Sequence, residues 1–205
     1  KQKLAHLVLL VKDEIGYKNI SMLNTIAFRD GFYYKPRIDY KTLEKYHEGL
    51  ICLSACMAGD VPKLILENRF EEAEKLIQWF KNLFGEDYYL EIQNNGVKEQ
   101  VLVNQKLIQL SKELDIPLVA TNDAHYSRRE DAYNHEVLLC IQTGKKMSDE
   151  DRMRFETDEL YIKSPEEMSD YFSSVPEAIE NTVKIADKCN VEFEFGNTIL
   201  PNYDV

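Results

Sequence analysis

"IPLVATNDAHY", Ile116 to Tyr126, is the stretch whose reading decides the fold. It opens as a short apolar run, Pro117 to Ala120, bounded by polar residues on the far side. A short continuous apolar run is the pattern of a strand buried on both faces, as in a parallel sheet. Thr121, Asn122, Asp123 and His125 then follow within five residues. In folds built on parallel strands, function collects at the C-terminal ends of the strands. Asp123 and His125 therefore stand where an active-site rim is expected.

Working outward, strands alternate with helices. Residues 5–11, "AHLVLLV", read as a buried strand, and 14–30 as a helix with Ile15, Met22, Leu23 and Ile26 near one stripe. "GFYYKPRID" reads as extended, and Asp39 as the cap of a short helix reaching about His47. Residues 49–55 form the next strand, followed by helices at 61–68 and 70–84. "DYYLEIQ" is a strand. Residues 97–114 make a helix, with Val103, Leu107, Leu110 and Leu114 on one face. The opening strand, 117–121, comes next, then a helix over 129–142. Strands separated by helices predict right-handed βαβ units and a parallel sheet.

Beyond Gly144 the character changes. "KKMSDEDRMRFE" is charged and irregular, "ELYIK" reads as a short strand, and Ser164-Pro165 with Glu167 spells a helix start. A last helix is expected over 176–189, and "FGNTILPNYDV" reads as a linker.

The chain has 205 residues, 44% of them hydrophobic and 30% charged, as in an ordinary soluble domain with a sizeable core. Its net charge of −11 makes the body a poor sequence-independent binder of nucleic acid, which requires clustered Lys and Arg. No apolar run approaches the roughly 20 residues that cross a bilayer. "KQKLAHLVLL" lacks Met, and its apolar run leads into acidic "KDE" rather than a small-residue cleavage site. It reads as a strand, and the chain as a fragment of a longer protein. Four cysteines without a Cys-x-x-Cys pair point to reduced thiols, a cytoplasmic setting and no zinc ribbon.

An Asp-x-His pair suits a divalent cation, because it offers a hard oxygen and a borderline nitrogen that point the same way from an extended segment. The plainer alternative has Asp123 capping the next helix and His125 on a loop. Cys56 ends "ICLSAC", where a small buried hydrophobe is the usual role of a free cysteine. Cys52 shares its face at even spacing but lies earlier, in the core. His6 stands among Leu and Val, where a satisfied core histidine is common, although it can still face a barrel interior. His47 suits the C-terminal dipole of its helix, and His135 reads as surface or packing. Asp149 and Asp151 of "DED" lie in a charged loop. No Gly-rich phosphate loop, Gly-x-Ser-x-Gly elbow or His-Glu-x-x-His helix is present.

"AHLVLLVKDEIGYKNI", "GFYYKPRID", "GLICLSACMAGDVPKLI", "IPLVATNDAHY" and "HEVLLCIQTGKKMSDEDRMRFETDELYIKSPEEM" together closely resemble the bacterial DNA polymerase III alpha subunits, in their polymerase-and-histidinol-phosphatase (PHP) region. The resemblance spans nearly the whole chain, in order. It implies an α/β fold, an incomplete distorted (β/α)7 barrel of the PHP type lacking its first strands. Residues 1–144 would be the later part of the barrel, and 145–205 the end of the domain and a helical linker leading to the polymerase palm. It also implies a divalent-metal cluster on the C-terminal rim, of Zn, Mn or Mg, with His6, Cys56, Asp123 and His125 at ligand positions. The family's opening His-x-His strand is not in this sequence, nor are the catalytic carboxylates of the palm.

The function implied is that of part of a replicative DNA polymerase, a nucleotidyltransferase working with DNA, nucleotides and the other holoenzyme subunits. Within it this region is a phosphoesterase-like module, either a 3′–5′ proofreading nuclease or a silent scaffold. No polymerase activity is expected of the chain alone. An open barrel edge near "HLVLLV" predicts self-association, and the missing ligands predict a metal site that is partly filled or empty.

Overall fold

The computed structural model describes residues 4–196 together with 198 and 200. Four strands form one sheet, in the order β1 (Val8–Val11), β2 (Leu50–Leu53), β3 (Tyr88–Gln93) and β4 (Leu118–Thr121). Helices α1 (Glu14–Arg29) and α2 (Tyr40–Lys45) join β1 to β2. α3 (Asp60–Leu66) and α4 (Phe70–Phe84) join β2 to β3, and α5 (Lys98–Leu114) joins β3 to β4. α6 (Ala132–Thr143), α7 (Pro165–Tyr171) and α8 (Glu177–Lys188) follow.

The helix starts follow local chemistry. The Asp13 carboxylate accepts the Gly16 amide at the head of α1, and Asp39 does the same for Thr42 at α2. At α7, Ser164 and Glu167 form a reciprocal capping box with Pro165 in the first turn.

β2, β3 and β4 run parallel, as the alternation of strands and helices predicts. β1 does not. It pairs antiparallel with β2, Val8 opposite Leu53 and Val11 opposite Leu50. A single crossover helix reverses the chain once and delivers a parallel neighbour. Here α1 carries the chain away, and the segment from 31 to 39 with α2 carries it back. β2 therefore starts beside the end of β1, where the Lys12 amide donates to the Gly49 carbonyl (2.8 Å).

The side-chain period of two sorts the sheet into two faces. On one, Cys52, Tyr88, Leu90, Ile92, Leu118 and Ala120 pack under α3, α4 and α5 with Val61, Ile77, Phe80 and Leu107. Burying each Leu or Ile there stabilises the fold by roughly 1.5–3 kcal/mol before its entropic cost. On the other, Val8, Leu10, Ile51, Leu53, Tyr89 and Val119 form a smaller cluster closed by Ile185 of α8. Residues beyond Gly144 thus join the core through α8, which lies against β4.

Three local expectations change. "ELYIK" forms no strand: Tyr161 makes one isolated bridge, to Tyr126, because the Leu160 carbonyl accepts both the His125 and Tyr126 amides instead of entering a ladder. "GFYYKPRID" is not continuously extended, since Tyr33 and Lys35 pair across Tyr34, whose φ is +62°. The first strand is shorter than expected, and His6 lies outside it. Part of the expected linker, residues 197, 199 and 201–205, lies outside the described residues.

Candidate functional site

The candidate residues collect at the end of the sheet where β2, β3 and β4 finish. Cys56 follows β2 through Ala55, whose φ of +65° breaks the strand alternation. Cys52 consequently faces the helix-covered core while Cys56 stands half-buried at the rim. The turn is tight: the Gly59 amide donates to the Cys56 carbonyl (2.7 Å), and a Cβ on Gly59 would lie 2.5 Å from the Ser54 carbonyl oxygen. Only glycine fits there. His6 reaches the same place from the opposite direction. Its amide donates to the Ala58 carbonyl (3.0 Å), and its Nδ1 lies 3.5 Å from the Cys56 sulfur.

Asp123 and His125 follow β4. Asp123 has a left-handed φ of +48°, so the pair meets through a turn, not along an extended segment. Its Oδ1 lies 3.5 Å from His125 Nε2. The turn is fixed from the segment expected to be a strand: the His125 amide donates to the Leu160 carbonyl (2.8 Å), and Lys163 Nζ donates to Asn122 Oδ1 (3.4 Å). Lys163 is buried, and burial pulls its ammonium below the usual lysine range despite the opposing pull of Glu159.

Between the pairs lies a buried carboxylate. Glu91 and Gln93 project from β3 on the face of Tyr89, where that face turns from apolar to polar. Glu91 Oε1 accepts from Gln93 Nε2 (3.0 Å) and from the Thr121 hydroxyl. Oε2 has no hydrogen-bond partner among the described residues, although the Ala55 amide is near enough to favour its charge. Burial raises the Glu91 carboxyl above the usual range, against the pull of Thr121 and Gln93, and the Asp123 charge adds to the rise. Burial likewise pushes the Cys56 thiol up, with the Asp123 and Glu91 charges adding to it.

His135, read as surface or packing, projects from α6 to the rim. Its ring stacks on Phe155 at 5.6 Å and meets His125 edge-on at 5.6 Å, and burial with the nearby His125 lowers its pKa. His47 Nδ1 donates to the Glu44 carbonyl (2.8 Å), just past the end of α2. Asp149 caps its own turn at the Lys146 amide and Asp151 pairs with Lys145, as befits a charged loop. All four cysteines are free thiols.

Thiol, imidazole and carboxylate are the right donor types for a divalent cation. Their count falls short. Among the described residues no group of three or more His, Cys, Asp or Glu side chains gathers closely enough to hold an ion. The rim presents two donor pairs, His6 with Cys56 and Asp123 with His125, and they do not form a complete metal site by themselves. Sequence reasoning assigned Glu91 no ligand role and missed Lys163. A lone acid or lysine in an apolar strand-like run was the available signal.

A PHP domain family model matches residues 1–95. Curated relatives named DNA polymerase III subunit alpha match almost the whole chain: 54% identity over 98% of it in Borreliella burgdorferi, 46% over 97% in Campylobacter jejuni and 43% over 95% in Thermus aquaticus. The chain spans only 18%, 17% and 16% of the length of these three relatives. No helix among the described residues is long and apolar enough to cross a membrane. With identity of this level running nearly end to end, the chain belongs to the DNA polymerase III alpha-subunit family.

Proposed function

We propose that this chain is the PHP-domain portion of a cytoplasmic replicative DNA polymerase, and that its rim supplies part of a divalent-metal phosphoesterase centre. The observation that carries the reading is the arrival of His6 beside Cys56, at the end of the sheet that also bears Asp123 and His125. Three strand ends, the start of β1 and the ends of β2 and β4, contribute to one site in this reading, and further donors from outside these pairs complete it. The sheet is then the later part of a distorted barrel, and residues 145–205 are the end of the same domain leading toward the palm. Template-directed synthesis, with DNA, nucleotides and holoenzyme subunits as partners, belongs to the longer protein.

At the rim the chain's own residues bind and orient. Lys163 and Leu160 hold the Asp123–His125 turn, and the 54–59 turn holds Cys56 against His6. A bound divalent cation would supply charge neutralisation of a phosphodiester. A proofreading 3′ nuclease is the corresponding activity.

The scaffold reading draws on the lack of a three-donor group among the described residues. In that case the rim is a structural remnant supporting the polymerase core and a proofreading partner. Metal analysis of the full-length polymerase and of its Asp123→Asn variant separates the two. Bound metal and 3′ nuclease activity that fall together in the variant, with primer extension retained, support the first reading. Unchanged metal content and no nuclease in either protein support the scaffold.

A further inference from the structure

The last turn of α1 and the loop after it expose four aromatic rings. Phe28, Phe32, Tyr33 and Tyr34 are each more than half exposed, Tyr34 to 84%. They form two ring pairs close together in the chain: Phe28 and Phe32 stack at 6.3 Å, and Tyr33 meets Tyr34 edge-on at 4.6 Å. A cluster of exposed large aromatics marks a contact surface more often than chance. The basic residues threaded through it say what kind. The Arg37 guanidinium lies over the Tyr33 ring at 4.8 Å, and Lys35 sits at the tip beside Tyr34. The single carboxylate between residues 28 and 37, Asp30, is held by Arg29 at 2.7 Å. Among the described residues neither Lys35 nor Arg37 forms an ion pair.

We propose that this loop is a stacking platform for single-stranded nucleic acid, with bases on the aromatic faces and phosphates against Lys35 and Arg37. Aromatic rings interleaved with cations are how such strands are held without sequence preference. The body of the chain, at −11, repels a polyanion, so the contact is confined to this locally basic loop. A purely apolar protein partner would leave both free cations uncompensated. The loop is also held in shape before any partner arrives. Arg37 Nε donates to the Gly31 carbonyl (3.3 Å), and a Cβ on Gly31 would lie 1.9 Å from the Arg37 carbonyl oxygen. The Tyr33 amide donates to the Lys35 carbonyl (3.2 Å) and closes a turn that puts Tyr34, in a left-handed conformation, at its apex. A bulky residue is rarely found in that conformation. Rings fixed in this way lose little freedom on binding. The proposal does not rest on the metal-site reading.

The test is fluorescence anisotropy of a fluorescein-labelled oligothymidylate of about 15 nucleotides titrated with the full 205-residue chain and its variants. The expected result is weak, salt-sensitive binding that Tyr34→Gly reduces about tenfold. Glycine accepts the left-handed backbone, so Tyr34→Gly is expected to keep or raise the melting temperature, which separates lost contact from lost folding. Lys35→Ala is expected to lower the salt slope by about one unit. Absence of binding, or binding indifferent to Tyr34→Gly, overturns the proposal. So does a chain that self-associates by light scattering, becomes monomeric on Tyr34→Gly and ignores the oligonucleotide, since the rings would then be a protein contact.

Discussion

Val8 pairs with Leu53 across the antiparallel β1–β2 ladder, and this one pairing puts His6 on the rim. Because β1 enters the sheet where β2 leaves it, the residue just before β1 meets the residue just after β2. A parallel β1 would have sent His6 to the opposite end, about four residues of strand away at roughly 3.3 Å each.

The His6–Cys56 contact gives the first prediction. Burial raises the Cys56 thiol, so it stays protonated and alkylates slowly at neutral pH, its rate climbing only as pH passes the usual thiol value of about 8.5. Cadmium, a thiophilic ion, is expected to slow alkylation of Cys56 further, and His6→Ala to remove that protection. Peptide mapping by mass spectrometry follows the site. Equal rates with and without cadmium in the unsubstituted chain would show that the two side chains do not act together as donors.

Glu91→Gln is expected to stabilise the chain by about 1 kcal/mol at neutral pH. The amide keeps an oxygen for Gln93 and Thr121 and removes a buried charge. The folded carboxyl titrates above its unfolded value, so the unsubstituted chain loses stability as pH rises from the unfolded value toward the folded one. The advantage of the variant should therefore vanish at acid pH, where Glu91 is protonated folded and unfolded alike. Urea unfolding at several pH values measures this; a gain independent of pH would place its origin elsewhere.

Lys163→Met removes the ammonium that donates to Asn122 and pairs with Glu159. Breaking a fully buried pair costs about 3–5 kcal/mol, but Arg129 still holds Glu159 at 2.5 Å, so a loss of about 2 kcal/mol is expected. The Asp123–His125 turn should loosen with it. Hydrogen exchange at the His125 amide, now bonded to the Leu160 carbonyl, is the readout, and unchanged protection would exclude Lys163 as the residue that fixes the turn.

Asp87 ties three elements together, bonding Lys12 past the end of β1 (2.5 Å) and Lys188 at the end of α8 (2.9 Å). Burial pushes its carboxyl up, but the two lysines outweigh this and hold it below the usual range. Its stabilising contribution is thus present above the unfolded carboxylate value and is lost as pH falls through the lower folded one. Asp87→Asn should cost about 1 kcal/mol at neutral pH and flatten the acid limb of the stability profile. An acid limb identical in both proteins would rule this pair out as its source.

Much of this protein was legible in its sequence. The strand at 118–121 and the rim position of Asp123 and His125 follow from an apolar run ending in polar residues. The caps at Asp39 and Ser164 follow from side chains bonding amides three residues on. These are local effects, and local chemistry is what neighbouring residues specify. Strand direction is not local. Whether β1 runs with or against β2 depends on how many times the chain turns back between them, and only the path through 31–39 decides it. The same holds for Lys163, which the sequence places on a short strand and the fold buries under the Asp123 turn. It holds too for His135, which the sequence reads as surface or packing and which comes to lie edge-on to His125. Contacts between residues far apart in the chain are set by which apolar faces must be covered, and that is settled only when α8 and the segment around Leu160 close over the sheet.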